Sequence, residues 1–188
     1  MSTTCNIPYK ILLIFNKVHK MNQVELQRKA NKILGPGLKY NEESLTYVTS
    51  RFWADKLKQY IKTECMPADK CKQMNILDMT ACIGSDTIEF ATYFKHVYSV
   101  ELTNKFYDML LFNVRRKHLK NVTVYNADSD SLLFNFDSHN IDVVYIDPPW
   151  GGSSYSQSHE LILKFGGLPM DEYVTKIFRD TSVKMVIL

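Results

Sequence analysis

Residues 74–102 read MNILDMTACIGSDTIEFATYFKHVYSVEL, and this stretch decides the fold. The short apolar run MNILDM carries Asp78 at its end. A loop of small residues follows, and then DTIEFATYF, in which Ile88, Ala91 and Phe94 recur at helical spacing. HVYSVEL is strand-like again and carries Glu101 near its end. Strand, loop, helix and strand in this order form the repeating unit of a parallel sheet, because parallel neighbours need a long crossover between them.

The same rhythm continues on both sides. Downstream, NKFYDMLLFNVRRKH reads as a helix and NVTVYNAD as a strand ending at Asp128. IDVVYID is a strand ending at Asp147, MDEYVTKIFRD a helix, and SVKMVIL a strand that runs to the last residue. Upstream, residues 17–34 read as a polar, basic helix that stops before the breaker pair Pro36-Gly37. A second helix is expected over about residues 50–62, with Thr49 or Ser50 available as its N-cap. The expected organisation is a basic helical extension over residues 1–62 and a Rossmann-like α/β domain, mostly parallel, over residues 63–188.

Composition narrows the class. Of the 188 residues, 45% are hydrophobic and 23% charged, which is ordinary for a globular protein of one domain. The longest apolar run near the start, residues 11–15, is too short for a signal core or a membrane span, so an intracellular setting in cytoplasm or nucleus is expected. Cys5, Cys65, Cys71 and Cys82 show no C-x-x-C pairing, so neither a zinc site nor a disulfide framework is expected. Charge is uneven. Residues 1–41 hold seven Lys and Arg against the single acid Glu25, whereas the whole chain carries only +3. Such an arm suits a polyanion such as nucleic acid, and equally a solvated helix face.

In open parallel sheets, ligands bind beyond the carboxyl ends of the strands, near the point where strand order reverses. The residues that terminate the strands are Asp78, Glu101, Asp128 and Asp147, all acidic. The loop from Asp78 to Thr87 contains Thr80 and Gly84 but neither G-K-[ST] nor G-x-G-x-x-G, which argues against phosphate-cradling ATP chemistry. Glu101 stands at about the distance from Gly84 at which an acid bonds a ribose diol. Asp128 is placed to accept from the adenine amine. An adenosine without a required pyrophosphate fits this set, and S-adenosylmethionine is the expected cofactor.

The stretch VYIDPPWGGSSY, residues 144–155, ends a strand with an acid, two prolines, a tryptophan and two glycines. Prolines cannot extend a ladder and stiffen the loop, and glycines let a ligand approach the backbone. An exocyclic base amine is a poor nucleophile. The Asp147 carboxylate and the Pro148 carbonyl are the expected catalytic acceptors, orienting its N–H groups towards a methyl donor. Pro149 and Trp150 are the expected substrate contacts, the indole stacking on a base and attracting it further if it is cationic.

At this point a family comes into view. DPPW, Asp147 to Trp150, resembles the [DNS]-P-P-[YFW] signature of amino-group methyltransferases, and PPWGG resembles the trimethylguanosine synthases, the RNA cap guanine-N2 methyltransferases. GLKYNEESLTYVTSRFWADKL is similar to that family's segment of a glycine, an apolar residue and a lysine leading to S-V-T-P-E and a helix. The match implies Lys39 as a cap-phosphate ligand and Val48-Thr49 beside the cofactor. DMTACIGSDTIEFA is similar to the family's D-A-F-C-G-V-G-G-N-T-I-Q-F-A. The resemblance spans about residues 36–188. It implies a Rossmann-like methyltransferase fold, S-adenosylmethionine, capped RNA as partner, and no metal. Two departures stand out. Cys82 and Ser85 occupy glycine positions of the cofactor loop, and the chain stops within its fifth strand, where the family continues to a hairpin completing a seven-stranded sheet.

Two other readings share these residues. The four-residue loop also serves amino-methyltransferases of ribosomal RNA or DNA. Those acting on duplex DNA must flip the base and usually carry a target-reading module, for which the arm leaves little room. A cap- or RNA-binding module without catalysis is the third reading, and retained affinity for S-adenosylmethionine separates it from the enzymes.

Overall fold

The computed structural model describes residues 23–135, 140–148 and 163–188. Five parallel strands make the central sheet: β1 (Asn75–Asp78), β2 (His96–Glu101), β3 (Val122–Asn126), β4 (Val143–Tyr145) and β7 (Met185–Ile187), in the order β3-β2-β1-β4-β7. A two-stranded antiparallel hairpin, β5 (Lys164–Phe165) and β6 (Leu168–Pro169), stands beside it. The helices are α1 (Gln23–Ile33), α2 (Arg51–Tyr60), α3 (Ala68–Cys71), α4 (Ser85–Phe90), α5 (Asn104–Arg116), α6 (Ser129–Asn135) and α7 (Met170–Asp180). A π turn over Ile61–Cys65 extends α2.

Why the sheet is buried on both faces follows from its two-residue period. Ile76, Val97, Val143 and Ile187 enter one apolar cluster with Phe90, Phe94 and Ile61. Leu77, Val100 and Val144 enter the opposite cluster with Leu133, Tyr173 and Ile177. Helices α2 and α4 therefore cover one face, and α6 and α7 cover the other. A third cluster joins α1 and the loop after it, through Ala30, Leu34, Leu38 and Leu45, to Ile83 and Phe106.

Strand order sets the site. β1, β2 and β3 grow outward in one direction, and β4 then returns to the other side of β1. The order reverses between β1 and β4, whose register pairs Asp78 with Tyr145. That crevice is where ligands of such sheets bind. The expected strands and long helices all appear; α7 keeps its expected bounds, α4 begins one residue earlier and ends sooner, and the others are shorter. The expected helix over 17–34 is described from Gln23 to Ile33. Helix α6, the β5–β6 hairpin and the short α3 are additions. Among the described residues no helix is long and apolar enough to cross a membrane.

Candidate active site

Asp78 anchors the crevice. Its carboxylate is fully buried and accepts from the Thr87 hydroxyl at 2.6 Å and from the Thr80 amide at 3.2 Å. The Thr87 oxygen also lies 2.9 Å from the Ser99 hydroxyl. A hydroxyl has one proton to give, so with Asp78 ionised Thr87 donates to the carboxylate and Ser99 donates to Thr87. Burial pushes Asp78 up to about 7; the bonds from Thr87 and Thr80 oppose this, and the charges of Asp86 and Asp147 add to it.

Thr80 ties the two loops of the crevice together. Its hydroxyl accepts from the Asp147 backbone amide at 2.8 Å, fixing the start of the Asp-Pro-Pro-Trp loop against the loop after β1. Pro148 is buried. Pro149 and Trp150 lie outside the described residues, as do Gly151 and Gly152.

Asp86, in the first turn of α4, is the third acid of the group. One of its oxygens, Oδ1, is enclosed and has no hydrogen-bond partner. Burial pushes this carboxyl up to about 7 as well, the Thr49 and Ser85 hydroxyls favouring the anion and Asp147 and Glu89 disfavouring it. The Thr49 hydroxyl also acts on Tyr145, whose phenol burial pushes well up, with Asp86, Asp147 and Asp78 adding to the rise. Thr49, Asp78, Asp86, Tyr145 and Asp147 thus share one electrostatic neighbourhood, and the charges acting on Asp78, Asp86 and Tyr145 in it are carboxylates. Three carboxylates so close are strained as anions and favour a cationic ligand. A sulfonium and an α-ammonium fit that donor set.

Gly84 shapes the turn into α4. Its φ of +91° lies in the left-handed region, and a Cβ there would meet Leu110 Cδ1 at 2.6 Å. Cys82 also takes a left-handed φ, +47°, without being glycine. The departure at that position therefore leaves a glycine-like backbone carrying a side chain at a cost of about 1–2 kcal/mol. Burial, with Glu101 next, pushes the Cys82 thiol up to about 12, so it is held as an inert thiol. Cys71 is likewise a free, buried thiol.

The outer acids hold structural bonds. Glu101 accepts from the Thr103 amide at 2.7 Å, and its register partner Asn126 donates to the Glu101 carbonyl at 2.9 Å. Asp128 is exposed and caps α6, accepting the Asp130 amide at 2.9 Å. Lys39 belongs to another wall. Its ammonium lies 4.3 Å from the Phe112 ring centroid on α5, and its amide donates to Asn113 Oδ1 at 2.6 Å. Asn113, fully buried, returns Nδ2 bonds to the Lys39 carbonyl at 3.0 Å and the Ile83 carbonyl at 2.9 Å. One side chain therefore holds both the 35–39 loop and the cofactor loop.

A family model described as RNA cap guanine-N2 methyltransferase matches residues 73–187, from just before β1 to the end of β7. The chain belongs to this family. The uncharacterized protein L320 of Acanthamoeba polyphaga mimivirus is 38% identical over 122 residues, which are 65% of this chain and 48% of that protein. The chain thus spans about half the length of that curated relative. Among solved structures, a candidate methyltransferase from Porphyromonas gingivalis W83 superposes with a TM-score of 0.53 at 16% identity, over 68% of this chain and 31% of that one. A hypothetical protein from Thermus thermophilus gives 0.51 at 19% identity, over 67% and 70%. These likenesses show the fold alone, a Rossmann-like, mostly parallel sheet flanked by helices. Family and fold together imply S-adenosylmethionine as the methyl donor.

Sequence reasoning overlooked Asp86, Tyr145 and Asn113. An acid in the first turn of a helix reads as a complement to the helix dipole, which hid Asp86. Asn113 did leave a signal. It is a polar residue on the apolar stripe of α5 that includes Phe106, Leu110 and Val114.

Proposed function

We propose that the protein transfers a methyl group from S-adenosylmethionine to the exocyclic N2 amine of 7-methylguanosine at the 5′ end of a capped RNA. The observation that carries this reading is the bond from the Asp147 amide to Thr80, which holds the head of the Asp-Pro-Pro-Trp loop against the buried Asp78 group at the switch point. The methyl donor supplies an electrophilic carbon on a sulfonium when bound. Thr49, Asp78, Thr80, Gly84, Glu101, Asp128 and Asp147 are the residues we assign to holding it, with Asp86 added because its buried carboxyl lies in the same negative field.

Asp147 and Pro148 accept the amine's N–H groups and turn its lone pair towards the reacting carbon, so the residues act by positioning and electrostatics. Pro149 and Trp150 meet the base, the indole stacking on a flat, cationic ring. Lys39 contributes charge towards phosphate. Family membership supports RNA over DNA as the substrate class.

Labelled S-adenosylmethionine offered with 7-methylguanosine-capped RNA, unmethylated-capped RNA and duplex DNA tests the reading. Label on guanine N2 of the first substrate alone is expected. Equal labelling of both caps would remove the cationic-base argument, and labelling of DNA alone would replace the substrate class. Asp147→Ala should depress kcat by far more than it weakens cofactor binding, and Trp150→Ala should weaken substrate binding by about 1–3 kcal/mol.

A further inference from the structure

Three cations from separate parts of the chain gather on one turn. Gly35 and Gly37 flank Pro36 with φ of +90° and +79°, which fold the backbone between α1 and Lys39 into a tight knuckle. The bare face of Gly35 lies against the Arg51 guanidinium, since a Cβ there would sit 3.4 Å from one of its terminal nitrogens. Gly37 meets Arg116 in the same way, 3.6 Å from Nε and 3.7 Å from a terminal nitrogen. Arg51 opens α2 and Arg116 closes α5. Lys39 follows two residues after Gly37, over the Phe112 ring that precedes Arg116 by one helical turn.

All three side chains are exposed, and among the described residues none forms an ion pair. By contrast Lys58, Lys105, Lys176, Arg179 and Lys184 each hold a carboxylate. Cations on one turn without a carboxylate in ion-pair reach are suited to an anion seated among them. The floor of the cluster is firm, because Asn113 bonds Lys39 through both its amide and its carbonyl. Lys117, exposed just past Arg116, extends the same sign of potential along the surface. A planar guanidinium pair is suited to bidentate recognition of phosphate oxygens.

We infer that Arg51, Arg116 and Lys39 form an anion site on the Gly35–Gly37 knuckle that takes phosphates of the RNA strand during catalysis. The inference rests on the RNA reading above and adds two arginines to it. The phosphates are those of the cap bridge or of the nucleotides that follow, and the two sources are separable by length of ligand.

The test measures binding without methyl transfer. Arg51→Gln, Arg116→Gln and the double variant are titrated with a 7-methylguanosine-capped dinucleotide and with the same cap on a longer single strand, at several salt concentrations. Lys95→Gln, at the amino end of β2 and so opposite the rim, controls for lost net charge. Each arginine variant should weaken binding about tenfold or more. The slope of log affinity against log salt should also fall by about 0.7 per guanidinium on the single strand. Loss already present with the dinucleotide identifies the bridge, and loss confined to the longer strand identifies the following phosphates; both support the site. A double variant that matches wild type, or the Lys95→Gln control, in affinity and slope on both ligands overturns it. Unfolding midpoints confirm that these surface substitutions leave the fold intact. Because binding and product are read separately, failure of guanine-N2 labelling would leave the anion site standing, and failure here would leave the reaction assignment untouched.

Discussion

At the scale of single residues, the crevice is governed by how hard it is to keep Asp78, Asp86 and Asp147 ionised together. Burial holds Asp78 and Asp86 at about 7 each. A cationic ligand is met by more negative charge as pH rises, so affinity for S-adenosylmethionine should climb between about pH 6 and 8. Calorimetry across that range checks it, and Asp86→Asn should flatten the climb; a wild-type affinity independent of pH would contradict the charge match. The family's cofactor-loop string has Asn where this chain has Asp86, so the variant also tests what the extra charge adds. Cys82 makes the opposite kind of statement. Glycine at that position would relieve a left-handed φ but loosen the unfolded chain by about 0.5–1 kcal/mol, so Cys82→Gly should change stability by less than about 1 kcal/mol. Cys82→Val, β-branched at the same φ, should lose about 2 kcal/mol or more in urea unfolding. What could be read beforehand was the acidic rim itself, since strand ends are visible in the pattern of apolar runs. Asp86 and Tyr145 were not, because their part depends on which side chains the fold encloses together.

Elements show a similar division. Every strand of the main sheet was legible, because each is a short apolar run bounded by turn residues and separated from the next by a helical period. Helix α6 was not, for SDSLLFN begins with three polar residues and has too few positions to show a period. Its first turn is held by Asp128, a residue chosen from the sequence as a ligand and found capping a helix. Both roles are compatible, since the cap uses one carboxylate oxygen. The β5–β6 hairpin escaped because its strands are two residues long and turn on Gly166-Gly167. Helix α5 is the element on which the site leans most. Removing the Asn113 amide strands the Ile83 carbonyl and releases the Lys39 loop, so Asn113→Ala should cost about 2–3 kcal/mol, read as a lowered urea midpoint. An unchanged midpoint would mean that water replaces those bonds without loss.

For the molecule as a whole, the buried acids tie folding to pH. Asp78 and Asp86 hold their protons more tightly when folded than in the unfolded chain, where Asp titrates near about 4. Their contribution to stability is full below that value and is lost as pH rises through about 7. The ligand-free protein should therefore melt at a lower temperature at pH 8 than at pH 5.5, and Asp86→Asn should show a shallower fall. His96, whose ring burial holds below its usual value, acts in the opposite sense, so the difference between the two proteins is the quantity to compare. The bonds of Asn113 have one further consequence. A single buried amide grips the Lys39 loop on one side and Ile83 on the other, so neither loop can settle without favouring a particular arrangement of its neighbour. Whichever ligand arrives first bears more of the ordering cost, and the second binds to a partner already composed. Thermodynamic reciprocity then requires the two ligands to improve each other's affinity by one common factor, whichever is added first.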